Sequence, residues 1–178
     1  MIKPQWLARL ARDERGVSAV EFALLAPLMI GLYLGCAEIS DGVAADRKVS
    51  LTAAAVANLT SQVTTISTSD MTNILDASSA IIVPYSASNL KITVSCLKID
   101  ANKNVTVKWT ATRNGGVSGT TSVPLALQIP NSQLILSQVS YAYTPTVGYT
   151  ITGTLTLTDH MFMSPRISAP TYNNVACT

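Results

Sequence analysis

One run constrains this chain more than any other feature: the 21 residues from Val17 to Ala37, VSAVEFALLAPLMIGLYLGCA. As a helix rising 1.5 Å per residue it covers about 31 Å, the depth of a bilayer's hydrocarbon core. Glu21 is the one carboxylate inside it. At the middle of a membrane helix such a group costs on the order of 3 kcal/mol on insertion scales. Lys3, Arg9, Arg12 and Arg15 precede the run, against Asp13 and Glu14. That basic flank stays cytoplasmic under the positive-inside rule and sends the rest of the chain outward. An ordinary signal peptide has a shorter apolar core with a small-residue cleavage site behind it. "LGCAEIS" imitates such a site, or a lipoprotein box ending at Cys36. The run is too long for either, and no flexible linker follows it.

Instead the helical pattern continues. Val49, Val56, Leu59, Val63 and Ile66 recur at spacings of seven, three, four and three, one face of a helix. Ala53, Ala54, Ala55 and Ala57 favour the same state. The pattern predicts one helix from Val17 to Ile66, about 75 Å long. Its membrane half is residues 17–37, and its amphipathic half runs from Val43 to Ile66. Pro27 removes the hydrogen bond to the Ala23 carbonyl and is expected to kink or loosen the rod. Gly31 and Gly35 form a GxxxG spacing, which permits close helix contact in lipid or arises by chance.

Residues 67–178 read as a separate, β-rich headpiece. A short helix is expected from Asp70 to Ala80, capped by Ser69 or Asp70 and followed by Pro84. Then the period changes to two. Leu90, Ile92, Val94 and Cys96 alternate with polar residues, as do Val105, Val107, Trp109 and Ala111. "DANKN" between them makes a hairpin with one buried face. Val139, Tyr141 and Tyr143 share a face of a third strand, and Ile151, Leu155 and Leu157 a face of a fourth, joined by "TPTVG". The elements add up to an α+β chain.

Little in the sequence speaks for chemistry. Charged residues make up 12% and the net charge is +2, with no Lys/Arg-rich run beyond the N-terminus. Nucleic-acid binding therefore has little support. His160 is the sole histidine, and no nucleophile elbow, P-loop, dinucleotide fingerprint or metal-ligand spacing accompanies it. The expectation is no enzyme, no cofactor and no metal. Trp109, Tyr141 and Tyr143 read as core in preference to an aromatic binding face. Arg166 either pairs with a carboxylate at the helix–sheet junction or is solvated. If residues beyond the span are exported, Cys96 and Cys177 are the natural disulfide pair; if not, the three cysteines are inert thiols.

A basic leader ending in glycine, four residues, then Glu and an aromatic, then an apolar helix, resembles the processing site of type IV prepilins. "RGVSAVEFALLAPLM" and the later "MFMSPR" look like the TadE/TadF-like minor pseudopilins of the Flp, or tight-adherence, pilus. The resemblance implies a leader of residues 1–16, cut between Gly16 and Val17 by a prepilin peptidase. It implies a bacterial inner-membrane subunit, N-terminus cytoplasmic and C-terminal domain periplasmic, acting at the initiation, base or tip of the pilus. Partners would be that peptidase, other pilins, the assembly machinery and membrane lipid. Glu21, followed by Phe22, would pair with the α-amino group of a neighbouring subunit and set axial register. Alternatively it snorkels to the cytoplasmic interface. Pilin-like helices are similar in carrying a residue like Pro27, and the expected plan sets the long helix on about four antiparallel strands. Two other readings remain: an anchored binding or adhesin module that is never polymerised, and an extracytoplasmic tethered enzyme.

Overall fold

The computed structural model describes residues 16–119, 122–145 and 153–178. The basic leader, Ile151 and most of "TPTVG" lie outside the described residues. Helix α1 runs unbroken through Val17–Ser61, passing Pro27. It stops five residues short of the expected Ile66. The reason is local: Val63, Thr64, Thr65 and Ile66 are β-branched and prefer extended backbone. Thr65–Ile66 form strand β1, which pairs in parallel with β6 (Thr171–Tyr172). Ile66 is buried all the same, but as part of a strand.

The second helix, α2, spans Thr68–Ser79. Its cap is Ser67, neither Ser69 nor Asp70. The Ser67 hydroxyl accepts from the Asp70 amide, and the Asp70 carboxylate accepts from the Ser67 amide and hydroxyl. This is a capping box with aspartate in the third position. The Ser67 hydrogen bonds hold the Asp70 carboxyl below the usual carboxylate range.

Four antiparallel strands follow: β2 (Leu90–Ile99), β3 (Val105–Arg113), β4 (Gln133–Tyr143) and β5 (Leu155–Met163), in the order β3-β2-β4-β5. The Asp100 carboxylate closes the β2–β3 turn by accepting from the amides of Asn102 and Asn104. A bulge between Cys96 and Leu97 interrupts that hairpin. Before it, Leu90, Ile92, Val94 and Cys96 are buried toward α1, opposite Trp109 and Ala111. After it, Leu97 and Ile99 belong to a second core on the other face, with Val123, Leu134 and Leu136. The hairpin therefore has two partly buried faces where one was expected. Val105 and Val107 end exposed, because a bulge shifts the alternation by one residue.

The principal core lies between α1 and the sheet. Ala45, Val49, Ala53 and Val56 pack over Ile92, Val94, Ile135, Val139, Tyr141 and Tyr143. Gly42, Thr52, Ala57 and Thr60 complete the buried stripe. The face is made mostly of small residues, and a Cβ built at Gly42 would be in ordinary contact with the Tyr143 ring, at 3.8 Å. One expected stripe member, Leu59, is exposed instead. Trp109, Tyr141 and Tyr143 are core residues.

The C-terminal segment returns along the helix side of the sheet. The Trp109 indole donates to the Pro170 carbonyl at 3.0 Å, and its ring lies 5.4 Å from that of Tyr172. Arg166 donates to the Asn58 side chain at 2.7 Å, so its partner at the junction is a neutral amide and not a carboxylate. Cys96 and Cys177 are joined in a disulfide, with Cα atoms 6.0 Å apart.

Two outcomes follow from this packing. Ala53→Leu in the detergent-solubilised chain should cost about 1–3 kcal/mol in urea unfolding, because the added bulk meets a filled interface. Leu51→Ser, on the exposed side, should change stability by no more than about 0.5 kcal/mol. The disulfide closes a separation of 81 residues. Its reduction should cost about 4 kcal/mol in the chain-entropy picture, read as a drop in the urea midpoint on adding dithiothreitol.

Candidate membrane-insertion and assembly surface

The membrane-length half of α1 has no buried residue among the described ones. Its most apolar stretch has no buried side chain, and α1 is a candidate membrane span. Phe22 is 69% exposed and Leu24 74%. Water does not tolerate a contiguous apolar cylinder of this length, so lipid or other helices must cover it. Burial begins abruptly at Glu38, where the sheet domain takes over.

Gly16 sits at the helix N-terminus with φ −91° and no side-chain cap. A Cβ there would meet nothing within 4 Å. Neither backbone conformation nor packing inside the subunit calls for glycine at this position. Val17, the first helical residue, is half exposed. Glu21 is exposed one turn further on, with no hydrogen bond or ion pair among the described residues. The ion pair that the described residues do form joins Arg113 to Asp76, far along the chain.

The helical register relates these residues to the headpiece. Glu21, Leu24, Leu28, Gly31, Gly35, Glu38, Gly42, Ala45, Val49, Thr52 and Val56 follow one another at alternating spacings of three and four. Such spacing follows a stripe that drifts slowly around a straight helix, by about 20° per heptad. From Glu38 onward the members of this series are buried under the sheet. The earlier members continue the stripe below the headpiece, without a covering layer. Gly31 and Gly35 fall on it, and their missing side chains leave a shallow groove there. Phe22 lies off this seam, whereas Pro27, five full turns before Ala45, lies on the same side of the helix.

The sequence pattern missed what happens where the two halves meet. Glu38 is buried, and Tyr85, Tyr141 and Tyr143 gather beside the helix at this level. The Tyr85 hydroxyl donates to the Asp41 carbonyl at 3.0 Å, and its ring lies 6.0 Å edge-on from Tyr143. Burial raises all three phenols above their ordinary value, and the Asp41 carboxylate adds to the effect on Tyr85 and Tyr143. They remain neutral hydroxyls at physiological pH. The signal available in the sequence was the three-and-four spacing of Gly35, Glu38 and Gly42. His160, exposed on β5, stacks edge-on against Phe162.

Residues 16–58 match the family model described as TadE-like protein. The match covers the candidate span and nearly all of the sheet-packing half of α1, and it stops before the sheet. No curated protein and no solved structure matches the chain. Over that stretch, under half of the chain, the protein is similar to TadE-like proteins.

Because the TadE-like span is separate from the core, Glu21→Gln, Gly31→Leu and Gly35→Leu should each leave the unfolding of the headpiece unchanged within about 0.5 kcal/mol. Urea titration in detergent, followed by tryptophan fluorescence, checks this. A large loss at any of the three would mean that the span packs on its own headpiece.

Proposed function

We propose that this protein is a minor pseudopilin of the Flp-type pilus. In this reading a prepilin peptidase cuts between Gly16 and Val17 while Val17–Ala37 crosses the bacterial inner membrane. The leader is cytoplasmic and the headpiece periplasmic. The processed subunit then joins other pilins at the initiation, base or tip of the filament. The observation that carries the proposal is the bare half of α1: a membrane-length helix matching the TadE-like family, with an exposed carboxylate near its start that has no partner among the described residues and a folded domain on the other half.

The chemistry is consistent throughout. Among the described residues nothing calls for glycine at position 16, and a protease subsite that excludes side chains is a use for it. Cleavage leaves a new α-amino group on Val17. The Glu21 carboxylate of an adjacent subunit is its natural partner in a helical bundle. Two charges about 4 Å apart in a poorly screened setting attract strongly, although desolvation offsets much of the gain. The pair's main effect is to select one axial register. The seam containing Gly31 and Gly35 gives a neighbouring helix room to approach below the headpiece.

A second reading, an anchored binding module that is not polymerised, has one observation in its favour. A hollow of about 490 Å³ opens on the outer face of the sheet, lined by residues including Thr93, Ser95, Val107, Val123 and Leu136. Cross-links to other pilins favour the pseudopilin and their absence at all stages favours the module, while co-fractionation with sheared filaments separates tip from base.

Processing is directly measurable. Mass spectrometry should find the mature chain starting at Val17, and Gly16→Leu should leave the full-length precursor in the membrane. Intact Met1 in cells with active peptidase refutes the assignment. For Glu21, alanine substitution should spare insertion and cleavage while cross-links to neighbouring pilins are lost. Glutamine should behave like alanine if charge carries the contact, and like wild type if a hydrogen bond suffices. Normal cross-linking in both variants would leave Glu21 as a snorkelling residue without a role in assembly.

A further inference from the structure

The sheet domain has two ends. At one, Met163 Sδ lies against the Ser61 hydroxyl at the end of α1. At the other, Tyr143 lies against Gly42, close to where the apolar span finishes. Between α2 and β2 the chain crosses this second end as Ile82, Val83, Pro84 and Tyr85. Ile82 is fully buried and anchors the crossing, and Lys48 Nζ donates to the Ile81 carbonyl at 3.2 Å. Val83 is 63% exposed, Pro84 is exposed and Tyr85 is half-buried with its hydroxyl on the Asp41 carbonyl. An apolar residue thus projects from a firmly held turn at the end of the domain nearest the span.

We propose that this turn rests on the bilayer: Val83, Pro84 and Tyr85 form a contact surface whose partner is the lipid headgroup layer around the exit of α1. The inference rests on the reading that Val17–Ala37 crosses a membrane. Position argues for lipid over any other occupant. Asp41 lies four residues past Ala37, so Tyr85 is held about 6 Å beyond the apolar run. Each headgroup layer is roughly 5–7 Å thick, the difference between the full bilayer and its hydrocarbon core. Tyrosine is enriched at this depth, where its ring meets acyl chains and its hydroxyl meets water. The surface is continuous with the span itself, since α1 is unbroken between the two. The raised phenol of Tyr85 stays uncharged there and adds no charge-desolvation cost.

The test uses the full chain with Cys36→Ser, the Cys96–Cys177 bond intact, and one environment-sensitive nitrobenzoxadiazole label at a time. Labels go on Val83→Cys, Ile129→Cys and Ile30→Cys, in nanodiscs of phosphatidylethanolamine and phosphatidylglycerol holding one copy each. Ile129 is 62% exposed, nearly matching Val83, but lies at the far end of the sheet, beside the Ser132 that receives Ile99. The expected result is blue-shifted emission and loss of iodide quenching at Val83, with water-like emission at Ile129 and a fully lipidic signal at Ile30. Water-like emission at Val83 with a lipidic Ile30 overturns this proposal and leaves the membrane span standing. Water-like emission at Ile30 removes the span, and the proposal with it. Shielding at Val83 only when two copies share a nanodisc assigns the surface to a second copy and also overturns the proposal.

Discussion

The close packing of α1 on the sheet is the contact on which the rest of this structure depends. It is made by side chains that are mostly small: Gly42, Ala45, Ala53 and Ala57, with Val49 and Val56 at its centre. A large residue on this face would hold the backbones apart, and the sheet's own valines and isoleucines would then lose their cover. Each such side chain is worth roughly 1.5–3 kcal/mol when fully buried. The face is also what makes one helix serve two surroundings. The same three-and-four series is sealed by protein above Glu38 and left bare below it.

Much of the architecture was legible. A hydrophobic run of membrane length followed by helical periodicity implied a long rod, and the change to alternation at Leu90 implied a sheet. The errors share a cause. Leu59 was expected in the core from its apolar spacing, whereas the buried face is made by Ala53, Val56, Ala57 and Thr60 and leaves it outside. Counting apolar residues does not reveal how near two backbones come. The helix end was misplaced because periodicity was followed through Val63 and Ile66, although the β-branched tetrad there already favoured a strand. At α2 the spacing of Ser67 and Asp70 was the informative signal, yet Ser69 and Asp70 were each weighed singly. The bulge at Cys96 and Leu97 had no warning in composition. It rests on how two strands meet, and so the second core behind the sheet could not be read from either strand alone.

The candidate site was legible in a different sense. Gly16, Val17, Glu21 and Phe22 stand out because an apolar run leaves few alternatives for a carboxylate or a sharp charge boundary. All four positions are exposed among the described residues. The level of Glu38 and the three tyrosines was hidden, because those residues are brought together from α1, the turn at Tyr85 and β4. Their proximity comes from contacts between segments far apart in the chain, with no local trace in the sequence.

The absence of any break in α1 between Leu28 and Ser61 has a mechanical consequence. A flexible hinge would let the anchor and the headpiece move independently. A continuous helix behaves as a shaft: axial displacement of the lower part lifts the upper part by the same amount, and rotation turns both through the same angle. Force applied within the membrane is therefore delivered to the sheet domain without slack.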